Sequence, residues 1–265
     1  MTFVSRGFLG RRRGGTHGGR RVVAPSAVAI DGEVHTTKGK QPYPVPHALT
    51  TDEVAAAVAD IVAAARRSID AGLDGGEIHS ANGYLLHEFL SPASNRRTDE
   101  YGGSVENRIR LVAEAVTAVA DAVGAGRVGL RISPEHNIQD ALETDREDVR
   151  AVYGALVDRL RPVGLAYLSV LHQEPAGDLV QELRARFGGK VIANSGFASP
   201  TTREEAVRLI EEAHADAVAV GRAVLANPDL VERWRGEHRE NDLRPELFYG
   251  PGAEGYTDYP RLQEV

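Results

Sequence analysis

The sequence predicts an α/β fold built on a buried parallel sheet, either closed as a barrel or doubly wound. Three observations predict it. Five short runs, 74–79, 128–133, 167–171, 191–194 and 217–220, have the length and apolar content of strands. Helix-length segments at 104–123, 145–161, 177–187 and 200–213 separate them, the alternation of right-handed βαβ units. Polar residues capable of chemistry gather just after the strands, where the loops of such folds converge on one mouth.

Length and composition bound the reading. At 265 residues, the chain matches the roughly 250 residues of one α/β barrel, so a single domain is the simplest count. A net charge of -7 argues against nucleic acid as the main partner. With no cysteine there is no disulfide framework, thiolate metal site or cysteine nucleophile, and redox work requires a bound cofactor. No run approaches the roughly 18 apolar residues of a membrane span, and the start lacks the apolar stretch of a secretory signal. The chain reads as soluble and cytoplasmic, with no membrane partner.

Taken in order, residues 1–21 carry six arginines interleaved with glycine and no acid, and show no sustained period. They read as a disordered or non-native segment rather than core. Residues 22–50 contain Pro25, Pro42, Pro44 and Pro46 and read as an extended surface loop. A helix starts at Thr51, capped by Thr50 or Thr51, with Val54, Val58, Ile61, Val62 and Ala65 at helical spacing. The strand–helix alternation follows, ending in a helix near 228–235. Gly76 weakens the first strand of the series, because glycine in a strand has no side chain to pack. Five strands are visible, whereas a closed (β/α)8 barrel needs eight; the shortfall lies at the N-terminal end.

Two constellations bear chemistry. His79, Asn82 and Tyr84 crowd the end of the strand 74–79; they either face a ligand or only tie the strand to its loop. Asn194-Ser-Gly196 and Gly221-Arg222 follow adjacent strands and offer backbone N–H groups and a guanidinium, which suits a phosphate. The bland alternative is turn glycines and a helix-end arginine. Two apparent motifs carry nothing: Gly124-Ala-Gly126-Arg-Val-Gly129 follows a helix and precedes a strand, the reverse of dinucleotide-binding order. His87-Glu88 has Ser91 where a zincin needs its second histidine, so no metal is expected. His136, His172 and His214 stand isolated. A Schiff-base aldolase is disfavoured because Lys190 precedes its strand.

The stretch 74–110, with Glu77-Ile-His-Ser-Ala-Asn-Gly-Tyr-Leu-Leu86 and Ser94-Asn-Arg-Arg-Thr-Asp-Glu-Tyr-Gly-Gly-Ser-Val-Glu-Asn-Arg108, closely resembles the Old Yellow Enzyme family of flavin-dependent alkene reductases. The resemblance continues through Gly129-Leu-Arg-Ile-Ser-Pro134, Val220-Gly-Arg-Ala-Val-Leu-Ala-Asn-Pro-Asp-Leu230 and Phe248-Tyr-Gly-Pro-Gly-Ala-Glu-Gly-Tyr-Thr-Asp-Tyr-Pro260, over roughly residues 22–262, and is nearest the bacterial N-ethylmaleimide reductase type. It implies an FMN-containing (β/α)8 barrel, here incomplete because the first strands are missing, with 22–265 as its C-terminal part. By the same resemblance, NAD(P)H reduces the flavin and a small activated alkene accepts hydride. His79 and Asn82 then hold the substrate oxygen, Tyr84 delivers a proton, Arg131 lies against the flavin, and Gly196, Gly221 and Arg222 hold its phosphate. Phe248 and Tyr249 lie near the ring. The competing expectation is a truncated, non-catalytic remnant whose open sheet exposes an apolar inner face.

Overall fold

In the computed structural model, residues 21–36, 39–196, 200–250 and 252–262 are described, together with the backbone of residues 2–3. Other positions lie outside that description, including residue 1 and residues 4–20 of the segment expected to be disordered. Thr2–Phe3 form a short strand, β1, that pairs with the main sheet, so that end of the segment is sheet rather than tail.

Residues 22–50 are more ordered than a surface loop. β2 (Val23–Ala24) pairs in parallel with β5 (His47–Ala48), and β3 (Glu33–Thr36) forms an antiparallel hairpin with β4 (Gly39–Pro42). Val23, Ala24, Ile30 and Leu49 are buried, a clamp that proline content alone concealed. Helix α1 (Thr51–Asp70) then begins with a capping box: Thr50 accepts from the Glu53 N–H while the Glu53 carboxylate accepts from the Thr50 N–H.

The predicted alternation follows. β6 (Gly76–Ser80) leads into a short helix α2 (Leu85–Leu90) and then α3 (Val105–Val123); β7 (Val128–Ile132) leads to α4 (Arg146–Leu160). β8 (Tyr167–Leu171), α5 (Asp178–Phe187), β9 (Val191–Asn194), α6 (Arg203–Glu211) and β10 (Ala217–Val218) come next, and α7 (Arg222–Ala226) and α8 (Leu230–Arg235) follow. The residues 124–127 between α3 and β7 form a turn, with Gly124 at φ 93°.

The sheet runs β1-β6-β7-β8-β9-β10, all parallel. From β6 onward each strand lies beside its predecessor, always on the same side. A doubly wound sheet reverses at a switch point, and none occurs here. The winding is that of a (β/α)8 barrel, left open: among the described residues, β1 and β10 are edges.

Alternation along the strands divides the sheet. Ile78, Leu130, Ile132, Leu168, Val170 and Val191 are buried in the main hydrophobic cluster together with α1, α3, α4 and α5. The other face carries Glu77, His79, Arg131, Ser169 and Asn194. The expected apolar inner face is therefore a correction: the concave side is largely polar, because its residues meet one another and a cavity rather than a layer of helices. Gly76, expected to weaken β6, is buried opposite Val128, and Gly129 has a specific packing reason. The Tyr167 ring lies across it, where a Cβ would stand 2.2 Å from the ring.

Candidate active site

β6 delivers His79, and the chain turns immediately afterwards. Asn82 (φ 58°) and Gly83 (φ 71°) are both left-handed. A Cβ on Gly83 would come within 2.7 Å of the Ile138 carbonyl, so close approach as well as conformation requires glycine. The Asn82 N–H donates to Ser133 Oγ at 2.8 Å, pinning the turn to the end of β7. Tyr84 occupies the N-cap of α2, its ring 5.3 Å from that of His79.

β7 contributes Arg131, which pairs in register with His79. Its guanidinium donates to Ser169 Oγ at 3.0 Å and to Asn194 Oδ1 at 3.3 Å, so residues of three successive strands form one polar row. Asn194 is held in turn by donating to the Ala219 carbonyl at 2.9 Å. Neither Ser169 nor the hydrogen-bonding role of Asn194 was legible beforehand. The available signal was alternation, since the register places Ser169 opposite Arg131.

Asn82, Tyr84, Arg131 and Asn194 border one cavity of about 700 Å³. Asn82, Tyr84, Arg131, Gly196, Gly221, Arg222 and Tyr249 line it, with Phe248 and Ile138. Eight of the nine residues that the resemblance assigns to the site thus line one cavity, drawn from separate strand ends. His79 is off the wall, beside Tyr84. Tyr249 is 97% exposed, which makes it a rim residue. Gly196 has φ 98°, and Gly221–Arg222 begin α7.

The electrostatics are one-sided. The cavity lining includes Arg131 and Arg222 and no carboxylate among the described residues, although the whole chain carries a net charge of -7. Such a cleft favours an anion. Burial, then the Arg131 charge, lower the His79 imidazole to about 4, which leaves it neutral near pH 7. Burial also lowers Arg131, opposed by Glu77 and Tyr167. Burial raises the Glu77 carboxyl, against Arg131 and a hydrogen bond from Tyr167; Tyr167 itself is pushed up to about 12 by burial and Glu77.

The residues fit a flavin mononucleotide. The Asn82 Oδ1 is buried without a hydrogen-bond partner, so the amide at the cavity wall has an unsatisfied end. The volume lies in the roughly 300–1,000 Å³ range of small-molecule sites, and cationic groups occur near both a strand end and a helix start.

Other polar residues of the 74–110 stretch tie the chain together. Asn95 donates to the Phe89 and Tyr101 carbonyls at 2.7 and 2.8 Å, and Arg97 reaches the Pro25 carbonyl at 3.0 Å and the Leu49 carbonyl. Arg108 binds the Leu90 carbonyl and Asp148. The histidines expected to be isolated have neighbours: His172 Nε2 lies 3.1 Å from Glu135 and His214 Nε2 3.3 Å from Glu212, while His136 also has an interaction partner. His87 and Glu88 are fully buried in α2.

Comparison with known proteins points the same way. A probable flavin mononucleotide-dependent alkene reductase of Leishmania infantum is 44% identical over 250 residues, covering 91% of this chain and 67% of that protein. 12-Oxophytodienoate reductase 1 of Oryza sativa subsp. japonica is 39% identical, over 84% of this chain and 60% of its own length. Among solved structures, the old yellow enzyme homologue of Zymomonas mobilis superposes with TM-score 0.83 at 34% identity, covering 92% of this chain and 69% of that one. Morphinone reductase in complex with tetrahydroNAD superposes with TM-score 0.83 at 39% identity, covering 92% and 68%. The chain thus spans about two thirds of the length of these relatives. The NADH:flavin oxidoreductase / NADH oxidase family profile matches residues 14–241, and the chain belongs to that family.

Proposed function

We propose that this protein is an FMN-dependent oxidoreductase that uses NAD(P)H to reduce the C=C bond of small activated alkenes such as enones, maleimides and nitroalkenes. The observation that carries the reading is the single cavity shared by Asn82, Tyr84, Arg131, Gly196, Gly221 and Arg222, cationic and, among the described residues, free of carboxylates. Arg222 and the backbone at Gly196 and Gly221 would hold the phosphate, and Arg131, braced by Ser169 and Asn194, would offer the flavin a positive charge. When bound, FMN would supply the hydride chemistry, with NAD(P)H as its reductant.

The chain's own groups handle the rest of the balance. Asn82 and His79 donate to the substrate's carbonyl or nitro oxygen and stabilise the charge that develops there. A histidine at about 4 does this as a neutral donor. Tyr84, beside His79, passes the phenolic proton to the α-carbon, completing addition of two hydrogens across the double bond.

Two measurements test this. FMN fluorescence is titrated against the full chain, with saturable quenching expected. Stopped-flow of the loaded protein then separates flavin reduction by NAD(P)H from reoxidation by 2-cyclohexenone. Tyr84→Phe is expected to leave reduction unchanged and slow reoxidation by roughly 10² or more. Equal slowing of both steps would return Tyr84 to a packing role. Absence of FMN binding would favour the alternative, a non-catalytic remnant.

A further inference from the structure

We propose that His87 is a positioning residue: it sets the turn that carries Asn82 and Tyr84 through an imidazole whose proton is fixed on Nε2. The ring is fully buried in the first turn of α2, and its Nδ1 accepts a hydrogen bond from the Gly83 N–H at 2.8 Å. An accepting Nδ1 carries no proton, so the neutral ring holds its proton on Nε2. Nε2 lies 3.2 Å from Glu143 Oε1, also buried, in a contact not aligned as a full hydrogen bond. That arrangement puts the donor edge of the ring against the carboxylate.

Glu143 is itself anchored on every side. Its Oε1 accepts from the Tyr153 hydroxyl at 2.8 Å, its Oε2 from the Glu135 N–H at 2.9 Å, and its own N–H donates to Asn137 Oδ1 at 2.6 Å. Tyr153 is completely buried, and burial with the neighbouring Glu143 charge raises its phenol well above the usual range, so it remains a donor. The carboxylate therefore ties the loop between β7 and α4 to the core. Glu135, Asn137, Gln139 and Asp140 of that loop have φ of 59°, 49°, 57° and 55°, left-handed values that non-glycine residues hold only when their surroundings impose them. The same loop brings Ile138 against Gly83 and onto the cavity wall.

His87 thus spans the two loops that frame the substrate side of the cavity. Few side chains can do this. The position requires an acceptor at one end and a donor at the other, at fixed separation in a dry site; lysine cannot accept and a carboxylate cannot donate when ionised. The consequence for catalysis rests on the proposed roles of Asn82 and Tyr84, since the turn between them is what His87 holds.

The test uses the full-length chain labelled with ¹⁵N. The His87 ring is expected to show an unprotonated Nδ1 and a protonated Nε2. His87→Phe keeps bulk but neither polar end, and His87→Asn retains an acceptor near Nδ1. Amide exchange at Gly83 is expected to quicken by about tenfold in the phenylalanine variant and to recover in the asparagine variant. In FMN-loaded protein the phenylalanine variant should slow enone reoxidation while flavin reduction is unchanged. A protonated Nδ1, or unchanged Gly83 exchange in folded His87→Phe, overturns the proposal. Should His87→Phe fail to fold, Glu143→Gln serves instead: a shifted Nε2 resonance supports the contact and an unshifted one overturns it. A Tyr84→Phe variant without an enone defect would sink the functional reading alone, since the ring nitrogens and Gly83 exchange report His87 independently.

Discussion

His79 shows how a single side chain is set by where the strand ends. Half-buried beside Arg131, its ring titrates at about 4 instead of the ordinary 6.5. Between those two values the unfolded chain binds a proton that the folded chain refuses. Stability contributed by the neutral ring is therefore whole above pH 6.5 and declines as pH falls toward about 4. Chemical-shift titration of the His79 ring is expected to give a midpoint near 4, and His79→Gln is expected to flatten the pH dependence of unfolding in that window. A midpoint near 6.5 would mean that the ring is solvated, and its role as neutral donor would have to be abandoned. At this scale the chemical types of His79, Asn82, Tyr84, Arg131 and Arg222 were readable, because their motifs are contiguous in the chain. Ser169 and the His87–Glu143 pair were not. Each becomes meaningful only through a partner 38 or 56 residues away.

Elements with a clear period matched their predicted places: the five strands, α1, α3, α4 and α5 differ from the sequence reading by a residue or two at their ends. Capping chemistry sharpened the starts, as with Thr50 at α1, Ser104 at α3 and Asp145 at α4. α2 and α7 escaped notice, being only six and five residues long and too short to display a helical period. Both matter, since α2 carries His87 and α7 begins at Arg222. β2 and β5 were hidden for a related reason: two-residue strands have no alternation to read. Within β7, Gly129 is a packing requirement. Gly129→Ala would drive a methyl into the Tyr167 ring and is expected to cost about 1–3 kcal/mol in urea unfolding. The penalty should shrink in a Tyr167→Ala background; if it persists undiminished, backbone conformation rather than the ring is responsible.

For the whole molecule, the fold and the cofactor site are coupled, because the cavity is made from the ends of β6, β7, β9 and β10 and the segments that follow them. A ligand that bridges these segments binds only the folded chain. FMN at about 100 times its Kd is expected to raise the unfolding free energy by about 2.7 kcal/mol, seen as an upward shift of the thermal midpoint. Arg222→Ala should demand more FMN for the same shift, since the phosphate loses a bidentate partner. An unchanged midpoint in the unmutated chain would contradict the cofactor assignment. By itself the sequence determined the strand–helix alternation, the family resemblance and the side chains at the strand ends, all of which are written locally as period, cap or motif. Only the tertiary structure decided that the strands wind in one direction without a switch point, that the concave face is polar, and that two arginines share a cavity lined, among the described residues, by no carboxylate. Winding, facing and charge neighbourhood depend on which segments meet across tens of residues, and that is settled by strand register and helix packing rather than by any contiguous stretch.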